Sequence, residues 1–333
     1  MPGIKRLRKI QLGKETVSGT PVAATTILRA EASGIEDTRG LEFIDENVGI
    51  IVPTNRAVTT YTEGKLEISD MPATFEQLRY IFHGGVASIT PTNDGTGSGK
   101  VWTYVYPVSA IPNIATFTFE AGDNQKVERM AGAFCESFTI SGAPKEYLKA
   151  SSTWIGTDVS GMSAFTSGLS VPTVEDIPFA SCVFTVEDPS ETYGGTTLPN
   201  TLVGFSLEIK TGLIPVYAAD YTLNRSFIGY EKFEGTLKAT FIHNASAVAE
   251  KEKWRSKSPR FIRIQARGSD LSQAGSYSKK NLSLDCWGVW EKFDKIGDLD
   301  GNDIIEATLR LSYDSVTGKI FTATIVIDEA TLP

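Results

Sequence analysis

Two stretches of this sequence, 171 residues apart, follow the same local pattern. Thr62-Glu63-Gly64-Lys65-Leu66 aligns with Phe233-Glu234-Gly235-Thr236-Leu237. Both read as strands with period-two alternation. Glu63, Lys65, Glu67 and Ser69 share one face, opposite Gly64, Leu66 and Ile68. Glu234, Thr236, Lys238 and Thr240 share the corresponding face of the second stretch. Each strand runs into a helical pattern: Ala73–Phe82, with Thr74 as a capping residue, and Ser246–Ser256, capped by Ser246. Upstream, Gly49–Pro53 parallels Gly212–Pro215, and an alternating strand precedes each (Leu41–Ile44 and Phe205–Ile209). Downstream, Trp102–Tyr106 aligns with Phe261–Ala266, Thr116–Glu120 with Leu282–Trp290, and the pair within Ser137–Trp154 with that within Ile304–Ile327. A shared order of elements over roughly 160 residues predicts a duplication. The expected domains are 1–165 and 166–333, joined through the Gly/Ser/Thr-rich stretch Gly156–Val171.

The strand candidates are separated by Gly, Asn, Asp and Pro, and apart from the two helices nothing has a 3.6-residue period. The fold class expected is therefore all-β: two tandem, similar β-sandwich or half-barrel domains, each flanked by one α-helix. Thr90–Lys100 and Gly268–Lys280 read as mobile surface loops.

Chemistry is sparse. The chain has 2 histidines and 3 cysteines, without a CxxC pair, so no catalytic residues, metal site or cofactor are expected, and a reducing compartment fits. Asp94-Gly-Thr-Gly-Ser-Gly-Lys100 resembles a phosphate loop, but Asp94 stands where the first glycine belongs and Val101 follows the lysine. Asp298–Asp303 resembles a calcium loop, but Asp303 and Leu309 occupy the positions of its glycine and its final glutamate. His83 falls at the end of the first helix, where an imidazolium would meet the helix C-terminus. Cys135 and Cys286 read as small core residues. Net charge is −8, with 15 Lys/Arg against 18 Asp/Glu in residues 1–170 and 17 against 22 in 171–333, so neither half is a nucleic-acid grip. No apolar run reaches the ~18 residues of a membrane span, and no apolar h-region follows the basic start.

Ile10-Gln-Leu-Gly-Lys-Glu-Thr16 and Gly19-Thr-Pro-Val-Ala-Ala-Thr-Thr-Ile-Leu-Arg29 are similar to the opening of many siphophage tail tube proteins. Phe117-Thr-Phe-Glu-Ala-Gly-Asp-Asn-Gln125, Phe138-Thr-Ile-Ser-Gly142 and Trp154-Ile-Gly156 resemble the same family. The resemblance covers mostly the first 160 or so residues and implies tube domains. Six such domains close a ring, stacked rings form a hollow β-barrel conduit for DNA ejection, and chains with two fused domains form homotrimeric, pseudo-hexameric rings. The partners it implies are further copies of the chain, the tape measure protein, the tail terminator and tail tip proteins, and viral DNA that passes without specific binding. The location implied is the virion tail, assembled in the host cytoplasm. The alternatives are another tandem β-sandwich virion or carbohydrate-binding module, and a hydrolase using an Asp/Glu pair.

Within this frame Glu63, Lys65, Glu67, Ser69, Glu234, Thr236, Lys238 and Thr240 are expected to face an acidic-leaning lumen, which would let a duplex slide. The basic start (Lys5, Arg6, Arg8, Lys9) and the Thr90–Lys100 loop, with Asp94 and Lys100, are expected to contact the next ring. Deleting residues 1–9 should therefore prevent full-length tubes, as seen by electron microscopy; tubes of normal length would remove the arm from the contact.

Overall fold

The computed structural model describes residues 2–31, 34–189 and 197–332. In the first half these form β1 (Lys9–Lys14), β2 (Thr26–Leu28), β3 (Glu36–Phe43), β4 (Ala57–Pro72), α1 (Leu78–Gly85), β5 (Thr92–Asn93), β6 (Lys100–Val105), β7 (Phe117–Gly122), β8 (Val127–Gly142), β9 (Lys149–Gly156) and β10 (Val159–Met162). In the second they form β11 (Cys182–Glu187), β12 (Leu202–Lys210), β13 (Leu213–Val216), β14 (Phe227–Tyr230), β15 (Glu234–Ile242), α2 (Ala245–Arg255), β16 (Pro259–Asp270), β17 (Lys279–Phe293), β18 (Gly297–Leu299), β19 (Asn302–Leu311) and β20 (Phe321–Ile327). The class is all-β, as the alternation predicts, and every ladder cited below is antiparallel.

The strands pair in one pattern twice. In the first half β1 pairs with β7, β7 with β8 and β8 with β10, while β3 pairs with β4, β4 with β9 and β9 with β8. In the second, β11 pairs with β16, β16 with β17 and β17 with β20, while β12 pairs with β15, β15 with β19 and β19 with β17. Register repeats as well. Cys135 and Ser137 oppose Trp154 and Thr153 across a bulge at Glu136; Trp290 and Lys292 oppose Leu309 and Thr308 across a bulge at Glu291. This pattern shifts the downstream alignment read from the sequence by one strand. The counterpart of β16 is β7, not β6, and that of β17 is β8. Strand β6 is an additional strand that pairs with β20.

The halves are fused along sheet edges. Ser137–Gly142 of β8 pairs with Phe205–Lys210 of β12, and Lys100–Val105 pairs with Thr322–Ile327. One apolar cluster runs through both halves, from Ile10 and Trp154 to Leu237 and Ile325. The expected boundary at 165/166 lies between β10 and β11, in a stretch without strands.

Local signals explain several details. Helix α1 starts later than its apolar stripe: Thr74 accepts a hydrogen bond from Gln77 N (3.1 Å) in a turn before Leu78. Helix α2 is capped by Asn244, whose Oδ1 accepts from Ala247 N, rather than by Ser246. The calcium-like stretch is a hairpin: Leu299 opposes Asn302, and Asp300 and Gly301 have φ of 52° and 80°, as a two-residue I′ turn requires. The two loops expected to be mobile are bonded together. Ser98 N donates to Gln273 O (3.0 Å), and Gln273 N donates to Ser98 Oγ (2.9 Å).

The sequence motif around Glu15 also finds its reason. The Glu15 carboxylate is buried and accepts from Gly19 N, Gly132 N, and the hydroxyls of Thr116 and Thr118, at 2.7–2.8 Å. It thus ties the N-terminal strand to β7 and β8. Glu15→Ala would leave four donors without their acceptor, so a loss of about 3 kcal/mol or more is expected in urea unfolding. A loss below about 1 kcal/mol would mean that this carboxylate is not a structural hub.

Candidate functional site

The feature most open to function is a broad polar face. Directly opposed residues of paired strands point to the same side of a sheet, so register alone traces it across both halves. One row runs Glu67, Thr153, Ser137, Lys210, Glu234. The next runs Ser151, Thr139, Glu208, Thr236, Arg310. A third runs Lys149, Ser141, Ser206, Lys238, Thr308, Lys292. The opposite face holds Leu66, Trp154, Ile140, Leu207, Leu237 and Leu309, all buried.

All eight residues expected on this face lie on it. In β4, Glu63, Lys65, Glu67 and Ser69 are partly or fully exposed between buried Gly64, Leu66 and Ile68. In β15, Glu234, Thr236, Lys238 and Thr240 alternate with buried Gly235, Leu237, Ala239 and Phe241. The sequence reading found strands at β9, β8, β12 and β19 but did not assign their Ser/Thr-rich outer positions to this surface, which they complete. The alternation of those strands carries the signal, but their adjacency does not show in the sequence.

Acidic and basic groups are interleaved on this face. Lys65 lies 2.6 Å from Glu67, Lys210 3.8 Å from Glu234, Lys149 3.0 Å from Glu146, and Lys292 2.5 Å from Asp294. The hydrogen bond to Glu67 raises the Lys65 pKa, while burial raises that of Glu136 at the bulge, against the pull of Lys65 and Lys210. A depression of about 660 Å³ opens here, lined by Ser141, Ser206, Lys238, Thr240, Glu306 and Thr308 among others. A concave, hydroxyl-rich wall with charges of both signs neighbouring one another offers no dense basic track for phosphate.

The other expected contact residues are scattered. Lys5, Arg6 and Arg8 are exposed, in and beside a 3₁₀ turn, and Lys5 lies 3.6 Å from Glu31. Lys9 begins β1 and its ammonium sits 4.3 Å from the centre of the Phe165 ring. Lys100 reaches Asn93 Oδ1 at 2.7 Å. Asp94 is 2% exposed, and its carboxylate accepts from Ser276 N and Tyr277 N, so its contacts are internal to the chain.

Among the described residues no group of three or more His, Cys, Asp or Glu could hold a metal ion, and no helix is long and apolar enough to cross a membrane. Burial raises the thiols of Cys135 and Cys286, and lifts that of Cys182 to about 12, away from nucleophilic thiolate. His83 is a buried, neutral residue rather than the imidazolium expected: burial lowers its pKa to about 4. Its Nε2 lies 3.2 Å from Ile89 O, and its Nδ1 lies 2.8 Å from the Tyr104 hydroxyl and 3.1 Å from Arg79 O.

The fold and this face define an all-β protein with a continuous polar face. The family model for phage tail tube proteins matches residues 6–313, and the chain belongs to that family. It is a structural component of the bacteriophage tail, built to assemble into the tube. No individual curated protein matches the chain.

The His83 geometry sets a pH dependence. Because the folded-state pKa lies below the ordinary 6.5, the neutral ring stabilises the chain above that value, and the contribution is lost as pH falls towards about 4. Going from about pH 7 to about pH 5 should remove about 2 kcal/mol through this residue. Urea unfolding of His83→Gln should lack that part of the decline; an unchanged pH slope would contradict it.

Proposed function

We propose that this chain forms the tail tube as a homotrimeric ring subunit, with residues 1–165 and 166–333 as two copies of one tube domain. Three chains then supply six domains to each ring, and stacked rings make a hollow conduit for DNA ejection. The observation that carries this reading is the repeated ladder pattern, with its matching bulges at Glu136 and Glu291, joined edge to edge through β8 and β12. An open sheet edge is a template for further pairing, and closing a ring of edges removes it.

In this reading the polar face of Glu63, Lys65, Glu67, Ser69, Glu234, Thr236, Lys238 and Thr240 lines the lumen. Its ion pairs make the wall close to charge-balanced rather than acid-leaning. Such a wall neither grips phosphate nor repels it strongly over the ~10 Å reach of unscreened charge. The tape measure protein would occupy the lumen before DNA, and the terminator and tip proteins would meet the terminal rings. The exposed Lys5, Arg6 and Arg8, together with Lys100, would face the adjoining ring; Asp94 would act indirectly by shaping the loop that carries Lys100.

Cysteine labelling of intact tubes tests the lumen. Thr236→Cys should react with a small maleimide but resist one coupled to a particle wider than the bore, whereas Lys251→Cys on α2 should accept both. Equal labelling of the two positions by the large reagent would exclude Thr236 from the lumen.

A further inference from the structure

The joint between the two halves serves as a template for the joint between chains. Its first part is the sheet edge, where Lys210 of β12 lies opposite Ser137 of β8. Its second part is the β13–β14 hairpin, which continues beyond β12 and lies over the first half. There Leu213 and Ile228 pack with Phe134 and Ile155, and Tyr217 Oη donates to Glu63 (3.0 Å). Arg225 adds bonds to Gly132 O and Ile155 O, with its guanidinium 4.9 Å from the Phe134 ring centre.

Among the described residues, the strand edges of this joint have counterparts without a strand partner, although Trp254 Nε1 donates to Glu291 O (3.1 Å) beside one of them. By register, Thr38 (opposite Glu63) is the counterpart of Lys210 (opposite Glu234), and Lys292 that of Ser137. Among the described residues strand β3 pairs with β4 alone, and β16 pairs with β17 only as far as Val289. Both are edges at those positions. The counterpart of the β13–β14 hairpin is the outer part of the β3–β4 hairpin. It presents apolar side chains to solvent, with Leu41 54%, Phe43 74% and Val52 62% exposed and Ile51 fully so. Clusters of this kind mark interaction surfaces. The counterpart of the surface that β13–β14 covers is open: a depression of about 220 Å³ lined by Phe233, Glu234, Glu291 and Arg310 among others.

We propose that β3 of one chain pairs with the Lys292 edge of a second copy, Thr38 opposite Lys292, while the tip of its β3–β4 hairpin packs beside Phe233, Glu291 and Arg310, at the rim of the lumen-facing surface. The second copy is the occupant because the same contact already exists within the chain, between matching elements. The two joints differ in chemistry. Asp37, paired with Arg39 at 3.1 Å, stands where Ile209 stands in the internal joint. The joint between chains thus has less apolar surface along the edge and relies more on Phe43, Ile51 and their neighbours.

The inference rests on the ring-forming reading, and one experiment separates the two. The Thr38→Cys/Lys292→Cys double variant of the full chain is oxidised and run without reductant. Opposed strand residues lie within disulfide reach, so species up to a covalent trimer are expected, and neither single variant should give them. In parallel, Phe43→Asp/Ile51→Asp should abolish assembly while leaving the Tm of the unassembled chain unchanged. Wild-type rings without cross-linking in the double variant, or rings that survive the Asp pair, would overturn this joint and leave the ring. Wild-type chain that never forms rings would overturn both.

Discussion

The pairing of β8 with β12 is the interaction on which the architecture depends. It joins six backbone positions of one half, Ser137–Gly142, to six of the other, Phe205–Lys210. Without it each half would expose a sheet edge beside a concave polar face, and buried apolar residues such as Ile140 and Leu207 would lose their neighbour across the joint. Burial of this kind contributes roughly 25 cal/mol per Å², and a satisfied edge does not recruit stray strands. The polar face inherits its continuity from the same ladder, because register fixes which side every residue points to.

Much of this was legible in the sequence because a half-buried strand writes its orientation as alternation. Glu63 to Ser69 and Glu234 to Thr240 could be assigned to a face from seven residues each, and β6, β7, β12 and β17 were located to within a few residues of their observed ends. The order of elements also led to the expectation of a repeat. What alternation does not encode is which strand lies beside which. The shift of the downstream alignment by one strand arose there: β6 has strand composition like any other, and only its pairing with β20 shows that it stands outside the repeated pattern.

The remaining differences have local causes. Loops rich in Gly and Ser read as free because their composition says nothing of a partner, yet Ser98, Gln273 and the buried carboxylate of Asp94 bind two such loops together. His83 read as a charged helix-end residue because its position on the helix is visible and its burial among Tyr104, Trp102 and Arg79 is not. Residues at the N-terminus read as a basic arm, but Lys9 already belongs to β1, which Glu15 helps anchor to β7 and β8.

In the proposed reading the chain needs a wall that DNA can pass, and it needs edges that find one another in a fixed register. The interleaved charges of the polar face and the internal β8–β12 joint supply physical reasons for each. Helical reconstruction of assembled tubes by cryo-electron microscopy tests the account most directly. It predicts three chains per ring with pseudo-six-fold symmetry and the Glu63–Ser69 and Glu234–Thr240 faces on the inner wall. Six chains per ring, or those faces on the outer wall, would contradict it.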